Sequence, residues 1–159
     1  MKYFFEDPTK CEALYQEVRS WLRTPFKHGV GVKGMGCDCI HFVLRVFESE
    51  AVGAIKPGLM RVPDYPKDWH VHNSEELLFN KFKSLSIFKK LEMYEGFPVL
   101  PIMDGDVFLH KYGLASSHSA IYCRDKLYHS INGVGVQDTA WYDEKWSKTR
   151  TYGFRMLAS

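Results

Sequence analysis

The sequence lacks the features that mark secreted scaffolds, membrane proteins and nucleic-acid binders. Four cysteines in 159 residues are too few for a disulfide framework, so we expect all four to be free thiols. No stretch reaches the roughly 18 apolar residues of a membrane span, and the first residues do not resemble a signal peptide. The 21 basic and 19 acidic residues are interspersed, which argues against nucleic acid as a partner. We expect a chain that is cytoplasmic on synthesis and makes no integral membrane contact.

What the sequence does contain is enough apolar material for one core. Hydrophobic residues make up 45% of the chain and aromatic residues 15%, so we predict a single domain over residues 1–159. Asp7 is a suitable N-cap for Pro8, which predicts a first helix over about residues 8–23. Prolines at 57, 63 and 66 indicate an irregular connection later in the chain.

Two further helices are predicted before the strands begin. Asp38 is expected to cap a helix whose apolar stripe faces the core and consists of Ile40, Val43, Leu44 and Phe47. Asn73 and Glu76 resemble a capping box and predict a helix over about residues 74–85.

From Asp104 onward the pattern changes to short β-type runs. These runs cover residues 106–110, 118–123, 126–131, 134–138 and 151–157. Helices followed by antiparallel strands predict an α+β fold. A two-residue turn at Arg124 and Asp125 would place His118 and His129 on one sheet face as diagonal cross-strand neighbours.

The segment Gly36-Cys37-Asp38-Cys39 places a thiol on the first turn of the second helix. Unpaired N–H groups and the positive end of the helix dipole favour a thiolate there, so we expect the pKa of Cys39 to fall below about 8.5. If this helix packs against the sheet face with the two histidines, Cys39 would be a nucleophile, His118 its base and His129 the orienting group.

Several short blocks, in their order, resemble the NlpC-type papain-like cysteine peptidases of bacterial cell walls. The blocks are Thr24-Pro25-Phe26, Asp38-Cys39-x-x-Phe42-Val43, Gly105-Asp106-Val107, Ser117-His118-Ser119-Ala120-Ile121-Tyr122 and Leu127-Tyr128-His129-Ser130. The resemblance extends to the phage-tail and gene-transfer-agent branch of these peptidases. That branch shares the segments Gly34 to Cys39, Asp64-Tyr65 to Trp69 and Gly153-Phe154-Arg155.

The resemblance implies a papain-like NlpC-type fold, with N-terminal helices packed on a small antiparallel sheet and the catalytic cysteine at a helix N-terminus. It implies an endopeptidase or amidase that cleaves amide bonds in peptidoglycan stem peptides through a thioester, without metal or cofactor. Cys39 would be the nucleophile, His118 the base and His129 the third polar residue. Phage-tail or gene-transfer-agent proteins would be partners, and incorporation into a phage-like tail would carry the protein to the cell wall.

Four residues are expected to bind substrate. Asp38 corresponds to a candidate contact for a free amino group in these peptidases, and Phe26, His28 and His41 are expected near it. Most of these peptidases have tyrosine where this chain has Phe26, so one hydroxyl donor is missing. Ile40 and His41 stand where small residues are usual.

Other functions stay open at this point. A non-catalytic cell-wall-binding or phage-tail component could have the same fold, and the same thiol could act on another acyl substrate. A zinc site is a weaker alternative, because its four ligands would have unusual spacing: Cys37, Cys39, His118 and His129. Gly29-x-Gly31-x-x-Gly34 matches a dinucleotide fingerprint but follows a helix and Pro25 rather than a strand.

Overall fold

The computed structural model describes residues 1–58, 60–62 and 64–159, so the predicted irregularity at Pro63 lies outside the described residues. Five α-helices are formed in the described parts. They are α1 (Pro8–Ser20), α2 (Cys39–Glu48), α3 (Trp69–His72), α4 (Leu77–Ser84) and α5 (Glu144–Thr149). None of the helices in these parts has the length and apolar character needed to cross a bilayer.

One six-stranded antiparallel sheet forms the centre of the fold. Its strands are β3 (Phe88–Lys90), β6 (Val107–Tyr112), β7 (Ala115–Cys123), β8 (Lys126–Ile131), β9 (Gly135–Ala140) and β10 (Arg150–Met156). Their order across the sheet is β3-β10-β6-β7-β8-β9. Two ribbons flank it, formed by β1 (Gly31–Val32) with β2 (Gly36–Cys37) and by β4 (Met93–Tyr94) with β5 (Phe97–Pro98). The predicted α+β class is confirmed.

The sheet buries both of its faces. On one face, Ile121 and Tyr128 pack with α1 and α2 in the larger apolar cluster, which includes Leu14 and Val43. On the opposite face is a smaller cluster, made of Phe108, Ala120, Tyr122, Leu127, Trp141 and Trp146. Residues that alternate along β7 and β8 therefore point into two different environments, as strand geometry requires.

The first two helices begin where the sequence predicts. The Asp7 side chain accepts the amide of Thr9, with Pro8 as the first helical residue, and α1 ends at Ser20. The predicted capping box before α4 is wrong. The Asn73 side chain accepts the amide of Glu75 instead, and α4 begins only at Leu77.

The β7–β8 hairpin has the predicted two-residue turn. Arg124 and Asp125 both have positive φ, 48° and 65°, as a type I′ turn requires. Cys123 pairs with Lys126, and the ladder continues through Tyr122–Leu127 to Ile121–Tyr128. Because side chains alternate along each strand, His118 lies on the same sheet face as Ala120, and His129 on the same face as Leu127.

A buried ion pair ties the last strand to the start of β6. Arg155 donates to both carboxylate oxygens of Asp106 at 2.8 Å, and these side chains are 6% and 0% exposed. Burial raises the pKa of Asp106, and the Arg155 guanidinium opposes that shift. The amide of Met103 also donates to Asp106, at 2.9 Å. Removing the carboxylate would leave a buried guanidinium without its partner.

We therefore expect Asp106→Ala to lower the free energy of unfolding by about 3–5 kcal/mol. Urea denaturation measured by circular dichroism tests this. The matched control is Asp138→Ala, which breaks the Lys126–Asp138 pair, whose side chains are 51% and 30% exposed. Its loss should cost at most about 1 kcal/mol. Equal losses in the two variants would contradict the importance of the buried pair.

Candidate active site

Asp38 fixes the backbone that presents Cys39. One of its carboxylate oxygens accepts the amide of His41 and the ring Nδ1–H of His41, both at 2.8 Å. The other accepts the amide of Gly29 at 2.8 Å. Gly29 has φ +74°, a left-handed conformation that favours glycine. The start of α2 and the preceding loop are therefore held by one buried carboxylate.

His118 and His129 form the expected pair. Nε2 of His118 lies 2.8 Å from Nδ1 of His129, a hydrogen bond across β7 and β8. Nε2 of His129 lies 2.9 Å from the hydroxyl oxygen of Thr139 on β9. A continuous hydrogen-bonded chain therefore runs diagonally over three strands.

The helix that carries Cys39 does not pack on the sheet face of the histidines, as the catalytic arrangement expected from the sequence assumed. The histidines lie on the sheet face of Ala120 and Leu127, whereas α2 packs on the opposite face. The β7–β8 ladder pairs only the hairpin end, from Cys123–Lys126 to Ile121–Tyr128, and His118 and His129 lie beyond its last pair. The Cys39 sulfur lies next to the part of β7 beyond this ladder, 3.7 Å from the carbonyl oxygen of Ser117, the residue before His118. Cys39 and His118 line the same cleft.

The charge states of Cys39 and the two histidines also differ from the expectation, which was a thiolate at Cys39. Burial raises the pKa of the Cys39 thiol to about 12, and the nearby Asp38 carboxylate adds to this shift. The Ser119 hydroxyl and the amides of Ser119 and Ile40 act in the opposite direction but do not compensate for burial. Burial lowers the pKa of His118 to about 3, and burial also lowers the pKa of His129 well below its ordinary value. The resting pair is therefore a neutral thiol and a neutral imidazole.

An aromatic cover accounts for the burial of the histidines. Trp146 on α5 packs its indole 5.1 Å from the His118 ring and 4.4 Å from the His129 ring, between centroids. A third buried histidine, His110, donates Nδ1–H to the Trp146 carbonyl at 3.0 Å. This bond fixes the backbone of the covering residue.

The cleft has a volume of about 330 Å³. Phe26, His28 and Asp38, three of the four residues expected to bind substrate, line it. His41 is not among the lining residues, because its ring is turned onto Asp38.

Several lining residues were not predicted as site residues, and two of them, Tyr65 and Trp146, lie close to the reacting groups. Tyr65 and Trp146 lie in segments without clear periodicity, although Tyr65 belongs to the block Asp64-Tyr65 to Trp69. Burial raises the pKa of Tyr65, and the nearby Cys39 and Asp38 add to the shift. Its hydroxyl therefore stays protonated beside the thiol and provides the kind of donor that Phe26 lacks.

A larger apolar groove adjoins the cleft. It measures about 660 Å³, and Ile40, Val62 and Leu78 contribute to its lining. Tyr65 and Trp69 line both spaces and form an aromatic partition between them. The rings of the partition are 4.7 Å apart, and Trp69 Nε1 donates to the Glu75 carbonyl at 3.0 Å.

No group of three or more potential metal ligands is clustered in the described parts of the chain. The four cysteines are free thiols. Cys37 belongs to the larger core cluster, and its carbonyl accepts the Ser130 hydroxyl at 2.7 Å. These observations describe Cys37 as a packing residue.

Comparison with solved structures identifies the fold. The NlpC/P60 domain of the peptidoglycan hydrolase SagA is 14% identical, with a TM-score of 0.54 over 94% of this chain and 98% of that one. A protein similar to an NLP/P60-family lipoprotein from Staphylococcus aureus gives a TM-score of 0.60 at 14% identity and covers the whole of this chain. An NlpC/P60 family protein from Bacillus cereus gives 0.59 at 14% identity, over 93% of this chain.

The chain spans 44% of the Staphylococcus structure and 40% of the Bacillus structure. No family model matches the sequence, and no curated protein matches it. The structural matches show that the chain has the NlpC/P60 fold, so the fold implied by the sequence blocks is confirmed.

The neutral resting pair predicts how Cys39 reacts with iodoacetamide. Because a pKa near 12 leaves little thiolate at neutral pH, we expect alkylation at pH 7 to be slower than that of free N-acetylcysteine, with a rate that keeps rising above about pH 9. Peptide mass spectrometry from about pH 5 to pH 10 gives the profile. A rate that reaches its plateau below pH 7 would reveal a resting thiolate–imidazolium pair and contradict the neutral assignment.

Proposed function

We propose that the protein is a cysteine endopeptidase or amidase that hydrolyses amide bonds in peptidoglycan stem peptides. The observation that carries the proposal is one cleft lined by Cys39 at a helix start and by His118, which is hydrogen-bonded to His129. The fold, which a domain of the peptidoglycan hydrolase SagA shares, supports the choice of substrate.

The chemistry follows from the neutral pair. Nε2 of His118 is hydrogen-bonded to His129, so Nδ1 of His118 is the ring nitrogen left to accept a proton. As the Cys39 sulfur attacks the amide carbonyl, its proton moves to His118, and His118 then protonates the departing amine. Water hydrolyses the resulting thioester, with His118 as base.

Donors near the sulfur would stabilise the oxyanion. The amides of Ile40 and Ser119 lie close enough to the thiol to affect its pKa. Tyr65 lines the same cleft, and the thiol lies close enough to affect the pKa of its hydroxyl. A single well-placed donor in such a site is worth about 2.7–4 kcal/mol of barrier. These groups would compensate for the hydroxyl that is absent at Phe26.

The direct test is digestion of purified peptidoglycan. We expect wild-type protein to release new amino and carboxyl ends, and both Cys39→Ala and His118→Ala to lose at least about 1,000-fold in rate. Mass spectrometry of the released fragments measures this, with Cys11→Ser as the control because Cys11 bonds to the Phe5 carbonyl outside the cleft.

The same experiment distinguishes the alternatives. Saturable binding without new ends would indicate a non-catalytic cell-wall component. An unchanged rate in Cys39→Ala would exclude the thiol mechanism. Assembly into a phage-like tail stays a prediction from the sequence resemblance.

The cleft charge favours an anionic group on the substrate. Lys67 and Lys145 line it, with their Nζ atoms 5.3 Å and 5.1 Å from the Phe26 and Trp146 ring centroids, respectively. Neither lysine forms an ion pair with the described acidic residues. Asp38, the one acidic lining residue, already accepts three hydrogen bonds. We propose that the lysines contact a free carboxylate of the stem peptide.

Lys67→Gln and Lys145→Gln should each raise KM about two- to fivefold, the size typical of an exposed charge contact. Steady-state kinetics with a carboxylate substrate and its carboxamide analogue measure the preference, which the double variant should lose. Lys148→Gln is the matched control on α5, since Lys148 pairs with Glu144. An unchanged preference in the double variant would contradict the contact.

A further inference from the structure

The hydrogen-bonded chain behind His118 has two possible directions. Each of its two links joins groups that can either donate or accept: the link between the imidazoles and the link between His129 and Thr139. A neutral imidazole carries one N–H and one lone pair. The direction of one link therefore dictates the direction of the other.

In the first direction, the Thr139 oxygen accepts Nε2–H of His129. Nδ1 of His129 then carries a lone pair and accepts Nε2–H of His118. His118 is left with a lone pair on Nδ1, the nitrogen that can take a proton from Cys39.

In the second direction, the Thr139 hydroxyl donates to Nε2 of His129. Nδ1–H of His129 then donates to Nε2 of His118, so His118 carries its proton on Nδ1. An imidazole in that state cannot act as a base toward the cleft.

We propose that Thr139 is a positioning residue that sets the first direction and so makes His118 a base. The proposal rests on the proposed function for the role of His118. Geometry supports it, because His129 is fully buried and its Nε2 has no other hydrogen-bond partner in the described residues. Thr139 is only half-buried, so its own proton can be donated to water while its oxygen accepts.

The position of Thr139 follows from strand register. On β8 and β9, Leu127 pairs with Thr139 and His129 pairs with Gln137. Thr139 is therefore the diagonal neighbour of His129, and its hydroxyl oxygen lies 2.9 Å from Nε2 of the His129 ring.

The test reads the tautomers directly. Two-bond proton–nitrogen NMR correlations on ¹⁵N-histidine-labelled protein identify the protonated ring nitrogen, and His118→Gln and His129→Gln assign the signals. Near neutral pH we expect both histidines of the wild type to carry the proton on Nε2. A wild-type His129 with its proton on Nδ1 would overturn the proposal without any substrate.

Variants test whether Thr139 is the cause. Thr139→Val removes the hydroxyl at nearly constant shape, so we expect His129 and His118 to become mixtures of tautomers. We expect kcat to fall about 10- to 100-fold, the size typical when the hydrogen-bond partner of a metal-bound histidine is removed, with KM within about twofold. Thr139→Ser, which keeps the hydroxyl, should show the wild-type tautomers and the wild-type kcat.

Thr151→Val is the matched control, because the Thr151 hydroxyl bonds to the Leu109 carbonyl and Ser116 on the same sheet. It should leave both tautomers unchanged. Unchanged tautomers in Thr139→Val would overturn the positioning role even if kcat fell. If the tautomers shift as expected but neither wild type nor variants cleave peptidoglycan, the positioning role stands and the proposed function fails.

Discussion

The buried carboxylate of Asp38 is the constraint on which the site depends. By accepting two bonds from His41 and one from Gly29, it joins the glycine-rich loop to the first turn of the helix that carries Cys39. The same negative charge disfavours a thiolate beside it. One side chain therefore fixes where the sulfur lies and adds to the effect of burial, which keeps the thiol protonated until a base acts.

Local rules explain what could be predicted from the sequence. Asp38 as a cap and the two-residue turn at Arg124 and Asp125 depend only on neighbours in the chain. Once that turn is known, the alternation of side chains along the two strands predicts that His118 and His129 lie on the same face of the sheet. These features specify most of the sheet and the histidine half of the site, and the sequence resemblance specified the fold.

What could not be predicted depends on contacts distant in sequence. The cover formed by Trp146 belongs to a six-residue helix, which is too short for a periodic pattern. The pKa of Cys39 was expected to fall, because helix position is visible in a sequence and burial is not. Thr139 was not predicted as a partner of His129, because the predicted strand ended one residue earlier, at Asp138. Which sheet face receives α2 is likewise a property of the packed core.

The partition formed by Tyr65 and Trp69 limits how much space is open beside Cys39. It separates the smaller cleft, which Cys39 and His118 line, from a groove of about twice the volume. It belongs to the segment between α2 and α4, outside the sheet that holds the histidines. Under the proposed function, a smaller side chain at Trp69 would join the two spaces and admit bulkier or more apolar acyl groups, while the histidine pair would keep its position. A smaller side chain at Tyr65 would also remove the hydroxyl proposed as a donor near Cys39. Trp69 is therefore the position in the partition at which substrate range could change without loss of a reacting group.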